Sequence, residues 1–362
     1  MAAGAEKHPI APEVAVVITC RNYESFVAEA IISVAQQTYQ RLRCVVVDDD
    51  STDGSRNAIE RTLAELGDNR FSSLATADNV GQLKAFQLAL SNTSSQFVAF
   101  LDADDFWFPK FLECHVRAHL NSIHSASISG SDALIVDENN SVLEGTFSAL
   151  AKPRLSSEDF VGHELPTDAC PDLDGNSVVV GAGRSLKVIY VPRRELRWHW
   201  VNTSAMVFRR DFIDIAIPPD GKPIERHADY FLAHLAHILS GSLILPDALG
   251  AYRMHRRNLF AKLPRVGGVQ ETGIEPPNAV RHTHECLVLH ILHNWSLFEA
   301  LVGAEALGHG LRRLLPWREL DRFAVAHKIR ADIRRAVSRG VRFARARDKP
   351  AVARLAIKFL GL

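Results

Sequence analysis

The chain has 362 residues, of which 47% are apolar and 23% charged, which suits one catalytic domain with additions. Its 42 basic and 42 acidic side chains cancel, but unevenly: residues 311–362 hold 15 Lys/Arg against 4 Asp/Glu, and the first 310 hold 27 against 38. A membrane-spanning helix is excluded, because no run of about 18 apolar residues occurs, and nucleic-acid binding finds support only in the basic tail.

The first 13 residues read as a loose leader. From there strand and helix patterns alternate. Val14–Thr19 is a β-branched run suited to a buried strand, and Glu24–Gln37 repeats apolar residues at helical spacing through Phe26, Ala30, Ile31 and Val34. Leu42–Val47 is a second apolar run ending in Asp48. Asn57–Leu66 is helical, with Ser51, Thr52 and Asp53 as candidate caps. Phe71–Thr76 is strand-like, Leu83–Leu90 helical, Phe97–Leu101 a strand ending in Asp102, and Phe108–Leu120 helical. Four strand-then-helix units predict an α/β fold with a mostly parallel sheet flanked by helices.

Further along, Ala126–Val136 is a long strand. An irregular, Pro- and acid-rich insert follows at about 145–197, and Val178–Val191 within it is β-rich. Thr203–Phe208 is apolar, Asp229–Leu239 is a helix, Glu285–Val302 is one amphipathic helix, and two or three basic helices close the chain. The expected division is a donor half at 14–122, an acceptor half at 123–260 and a helical C-terminal region at 261–362.

Two acidic clusters fall at the carboxyl ends of strands, where open parallel sheets bind their ligands: Asp48-Asp49-Asp50 and Asp102-Ala103-Asp104-Asp105. Carboxylates this close repel unless a positive charge lies between them. Mn²⁺ or Mg²⁺ suits such a site, because both prefer carboxylate oxygen and leave positions for phosphate.

Val14–Ser55 (VAVVITCRNYESFVAEAIISVAQQTYQRLRCVVVDDDSTDGS) strongly resembles the opening of the family 2 glycosyltransferases. Asn79-Val80-Gly81, Phe97–Asp105 (FVAFLDADD), Asn202–Arg210 (NTSAMVFRR), His227–Phe231 (HADYF) and Ala251–Asn258 (AYRMHRRN) resemble its later blocks in order, so the resemblance covers residues 14–258. It implies a GT-A fold and an inverting, metal-dependent transfer from a nucleotide-sugar donor, with a UDP-sugar expected, to a glycan or lipid-linked acceptor in surface polysaccharide or glycoconjugate assembly. By the same resemblance Thr19 and Asp49 hold base and ribose, Asp102 touches ribose, and Asp104 binds metal. Gly81 lets backbone approach the donor, Lys84 and Arg253 lie near the diphosphate, His255 is a further metal ligand, and Asp229 is the general base. Two residues depart from the family: Arg21, with a phosphate or the acidic cluster in reach, stands where an aromatic or small residue is frequent, and Asp50 where Gly is common. A non-catalytic nucleotide-sugar binder on the same fold and a sugar nucleotidyltransferase stand as alternatives. Against the latter, Cys20–Tyr23 has one basic residue and no Gly.

The remaining features carry less. His282, His284, His290 and His293 are a weak metal candidate, and Trp198, His199 and Trp200 suit a sugar platform or core packing. Five scattered cysteines (Cys20, Cys44, Cys114, Cys170, Cys286) lack metal spacing and read as reduced thiols. With no secretory signal visible, a cytoplasmic protein is expected. Interleaved Arg and apolar residues over 318–358 suit a helix lying on an anionic membrane surface and equally a helical face packing back on the domain.

Overall fold

The computed structural model describes residues 10–91, 93–145, 161–164, 171–174, 177–180, 186–195, 200–218, 227–258, 261–264, 270–272 and 277–347. The strands are β1 Val14–Cys20, β2 Leu42–Asp48, β3 Phe71–Ala75, β4 Phe97–Asp102, β5 Phe106–Trp107, β6 Ile128–Val136, β7 Val142–Glu144, β8 Val161–Glu164, β9 Pro171–Asp174, β10 Ser177–Val180, β11 Lys187–Val191, β12 Met206–Arg209, β13 Ser242–Arg253, β14 Ala261–Pro264 and β15 Gln270–Thr272. The helices are α1 Val27–Ala35, α2 Ser55–Leu66, α3 Gln82–Leu90, α4 Phe111–Asn121, α5 Arg210–Ala216, α6 Ala228–Ser240, α7 Pro277–His293, α8 Trp295–Val302, α9 Ala304–Leu314, α10 Trp317–Ala326 and α11 Ala331–Arg347.

One large sheet has the order β3-β2-β1-β4-β12-β6-β13-β11-β8, with β5 on β13 and β7 on β6. The β3-β2-β1-β4 part is wholly parallel. Beyond it β12 runs antiparallel to both β4 and β6, and β13 is parallel to β6. The chain lays down β1, β2 and β3 in one direction, then returns past β1 to place β4 on its other side. The β1/β4 boundary is therefore a topological switch point, where a crevice opens beyond the strand ends.

The period-two alternation of β1 sorts its side chains into two layers. Val14, Val16 and Ile18 pack with α1 and α4, while Ala15 and Val17 pack with α3, α5, α6 and the C-terminal helices. That second core is continuous across residue 260: Leu235 and Ile238 of α6 share it with Leu287, Ile291, Trp295, Leu311, Val337 and Val341. Burying each such side chain contributes about 1.5–3 kcal/mol.

The structure alters one expectation and decides between the alternatives of two others. The helix read over Glu285–Val302 is two helices, broken at Asn294, whose side-chain amide donates to the His290 carbonyl at 2.9 Å and competes with the helical ladder. The apolar stripe of the tail faces inward: Ile329, Val337 and Val341 are buried, Phe323 and Ile333 pack on the same core, and only Val325, at 51%, is well exposed among those described. α10 and α11 show more arginine than acid to solvent: Arg318, Arg322, Arg335, Arg339 and Arg342 are exposed beside Asp321 and Asp332. Trp200 is a core residue, set edge-on to His234 and His237; Trp198 and His199 lie outside the described residues. Among the described residues no helix is long and apolar enough to cross a membrane.

Candidate active site

The switch point assembles the site. Thr19 stands opposite Asp102 in the β1–β4 register, and the Thr19 carbonyl accepts the Ala103 N–H at 3.2 Å. The Asp105 N–H then returns to the Asp102 carbonyl at 3.0 Å, so the chain turns tightly and sets Asp102, Asp104 and Asp105 side by side. Each carboxylate has its own surroundings. Asp102 accepts from the Gln82 amide at 2.7 Å. Burial, then the charges of Asp104, Asp105 and Asp229, hold its carboxyl well above the usual range. Asp105 accepts from Asn202 and Ser204, both at 2.6 Å, and from the Arg253 backbone N–H at 3.0 Å. Burial and Asp104 nevertheless push it up to about 7.

Asp104 is gripped from behind. The Nδ1 of His255 accepts the Arg257 backbone N–H at 3.1 Å, which leaves the ring proton on Nε2, 3.0 Å from Asp104 Oδ2. In this tautomer His255 orients Asp104 and presents no lone pair to a cation. Phe26 stacks on the ring and Tyr23 meets it edge-on. The Tyr23 phenol hydrogen-bonds Asp104, and burial and that negative charge push its pKa up. The resemblance implies a place for Arg253 near the diphosphate. The structure instead engages it behind the acidic cluster, 2% exposed, donating to the Asp104 carbonyl at 2.9 Å and to Glu29 at 2.6 Å between the faces of Phe26 and Phe106.

The other cluster works through backbone. Asp49 accepts from the Thr76 hydroxyl at 3.0 Å and from the N–H groups of Val80 at 2.8 Å and Gly81 at 3.0 Å, pinning that loop to the end of β2. Gly81 then starts α3 at φ +81°, a conformation that L side chains rarely adopt. Asp50 sits at φ +56°, which explains why Gly suits this place and why Asp, among the more tolerant residues there, can stand in. Lys84 lies on α3 and donates to Gln87 at 2.6 Å, while Arg21 is exposed just beyond β1.

Asp229 lies in the first turn of α6, after His227 in the left-handed region. Its Oδ1 accepts the Tyr230 N–H at 2.7 Å, and its charge reaches Asp102. Sequence reasoning misses its support: the Tyr230 hydroxyl meets His284 Nε2 at 2.8 Å, tying α6 to α7. It also misses Glu29, Gln82, Asn202 and Ser204; the Asn202–Arg210 block holds the last two without naming their partner. The four histidines of α7 do not gather. His284 serves Tyr230, His290 meets the Ile215 carbonyl, and His282 faces Cys286.

A divalent cation fits the charge of this cleft, since four carboxylates crowd it and the buried Arg253 faces away. Among the described residues no three His, Cys, Asp or Glu converge on one point. A cation there would take one or two protein ligands and complete its shell with water and phosphate oxygen, as Mg²⁺ does.

Residues 15–160 match the sequence profile of glycosyl transferase family 2. Over that segment the chain is similar to the family 2 glycosyltransferases. The chain is 28% identical over 270 residues to an uncharacterized glycosyltransferase of Nostoc sp., a match covering 74% of this chain and 73% of that one. It is 32% identical over 139 residues to the UDP-Glc:alpha-D-GlcNAc-diphosphoundecaprenol beta-1,3-glucosyltransferase WfgD of Escherichia coli, covering 38% of this chain and 52% of that one. Among solved structures, S. aureus TarS 1-349 in complex with UDP-GlcNAc superposes with a TM-score of 0.49 at 15% identity, over 92% of this chain and 90% of that one.

Proposed function

We propose that this protein is an inverting, metal-dependent family 2 glycosyltransferase that moves a sugar from a UDP-sugar to a hydroxyl of a glycan or lipid-linked acceptor, in surface polysaccharide or glycoconjugate assembly. The observation that carries the reading is the acidic turn Asp102, Asp104 and Asp105 at the β1/β4 switch point, with Asp229 near enough for its charge to act on Asp102. The donor and acceptor classes are supported by the name of the E. coli relative, of whose length the chain matches about half.

In this mechanism Asp229 takes the proton of the acceptor hydroxyl as its oxygen attacks the anomeric carbon from the face opposite the diphosphate. The bond to the diphosphate oxygen breaks and its electron pair leaves with the nucleotide. Thr19, Asp49 and Asp102 hold base and ribose, and Gly81 lets the backbone approach the donor. Arg21 and Lys84 supply positive charge at the mouth. Asp104, oriented by His255, would hold Mn²⁺ or Mg²⁺, which when bound neutralises charge on the leaving diphosphate. Arg253 positions the acidic turn from behind. The exposed arginines of α10 and α11 suit an anionic membrane surface by charge alone, since the apolar residues beneath them are packed.

The test is Asp229→Asn, which keeps the shape and removes the base. Turnover should fall by about 10²–10⁴-fold while donor Kd, read by calorimetry, stays near wild type. Wild-type turnover would place the base elsewhere. Loss of donor binding would make Asp229 part of the donor site, and full donor binding with no transfer to any acceptor by the wild type would favour a nucleotide-sugar sensor.

A further inference from the structure

At the opposite end of the parallel strands, about 20 Å from the acidic turn at the rise of a seven-residue strand, lies a cavity of about 240 Å³. It is lined by Glu13, Arg41, Leu42, Arg43, Asn69 and Arg70, together with Gln40. The three arginines come from different places. Arg41 and Arg43 flank the start of β2, and Arg70 precedes β3. The Val14 N–H bonds the Arg41 carbonyl and the Cys44 N–H bonds the Arg70 carbonyl, so the first turns of the sheet fix all three.

Two of these guanidiniums are answered. Arg43 Nε lies 3.4 Å from Glu13 Oε1, and Arg70 Nη2 lies 2.6 Å from Asp68 Oδ2. Arg41 joins no ion pair among the described residues, and its Nε–H is buried with no acceptor. A buried donor of this kind is unfavourable until an acceptor arrives. Three positive against two negative side chains leave a net positive hollow. The guanidinium fork matches phosphate oxygens in pairs, better than it matches a spherical ion. The hollow is small and open to solvent, so a small soluble molecule can reach its arginines.

We propose that this cavity is a second anion site, taking a small soluble phosphate-bearing molecule with Arg41 as its principal contact and Arg43 and Arg70 at its rim. It stands apart from the transfer chemistry, which uses the other ends of the same strands.

The probe is inorganic pyrophosphate, added to the full chain in EDTA at fixed ionic strength and followed by calorimetry and thermal shift. Wild type should bind and rise in Tm, as expected when a ligand binds only the native state. Arg41→Gln should weaken binding at least tenfold, and Arg43→Gln should weaken it less while sparing the fold. Asp104→Asn should leave it unchanged. No binding by wild type, equal binding by Arg41→Gln, or loss in Asp104→Asn would overturn the proposal, the last by moving the anion to the cleft. Phosphatidylcholine vesicles carrying phosphatidic acid should be captured equally by wild type and Arg41→Gln. Arg41-dependent capture without pyrophosphate binding would assign the phosphate to lipid and overturn the soluble ligand.

Discussion

Asp48-Asp49-Asp50 and Asp102–Asp105 look alike in sequence, as runs of carboxylates at the ends of β2 and β4, the parallel strands on either side of β1, yet they behave differently. In the first, Asp49 faces backbone N–H groups and a hydroxyl, so its charge is stabilised by donors and holds a loop. In the second, the carboxylates stand side by side with the Asp229 charge acting on Asp102, and burial pushes the proton affinity of Asp102 and Asp105 up. Acidic composition alone therefore does not mark a cation site. Asp105 accepts three hydrogen bonds, as Asp49 does, so the crowding of like charge around the second cluster, not the number of donors, sets the two apart.

That contrast can be broken in three ways. The largest effect concerns Asp105. Its pKa is about 7 folded against 3.8 unperturbed, so the folded state holds a proton that the unfolded state releases. The associated stability is fully present below about pH 4 and is lost as pH rises to about 7, amounting at most to about 4 kcal/mol. Urea unfolding between pH 5 and 8 should show a steeper loss for wild type than for Asp105→Asn, and Mn²⁺ should flatten the wild-type slope. Equal slopes would mean that Asp105 stays ionised throughout.

Next is Asp49→Asn, which turns an N–H donor toward groups that are themselves donors. A loss of about 1.5–3 kcal/mol is expected at neutral pH, with donor affinity falling as the Val80–Gly81 loop loosens. A change under about 0.5 kcal/mol would remove Asp49 as the anchor of that loop. The smallest effect is Asp50→Gly. Relief of a left-handed non-Gly backbone outweighs the added freedom of the unfolded chain, so a gain of about 0.5 kcal/mol is expected. A loss beyond about 1 kcal/mol would give the Asp50 side chain a role of its own.

Where one local rule decides the outcome, the sequence is easily read. The β-branched run Val14–Cys20, the acidic strand ends and the apolar spacing of Leu83–Leu90 each give their element within one or two residues. The turn at Asp102 and the place of Asp229 follow from motif blocks. Arg253 is different, because a basic residue near a phosphate site and one braced between Phe26, Phe106 and Glu29 have the same local pattern; only the long-range pairing of β13 with β5 and β6 separates them. The stripe from Phe323 to Val341 is legible as amphipathic, but which surface covers it depends on α9, many residues earlier. His255 carries the motif, while its tautomer is set by Arg257 two residues away.

The helices after residue 276 also set terms for anyone who would rebuild this protein from parts. A Cβ on Gly310 would come within 2.9 Å of Ile238 on the helix that carries Asp229, and a Cβ on Gly308 within 2.3 Å of the Gly340 backbone. A chimera that kept residues 14–258 and borrowed its remaining helices from a relative would have to bring glycine-like clearance at each crossing. Otherwise the borrowed segment would push on α6 and shift Asp229 without any change to a motif residue. The natural unit of exchange is thus α6 together with α9 and α11.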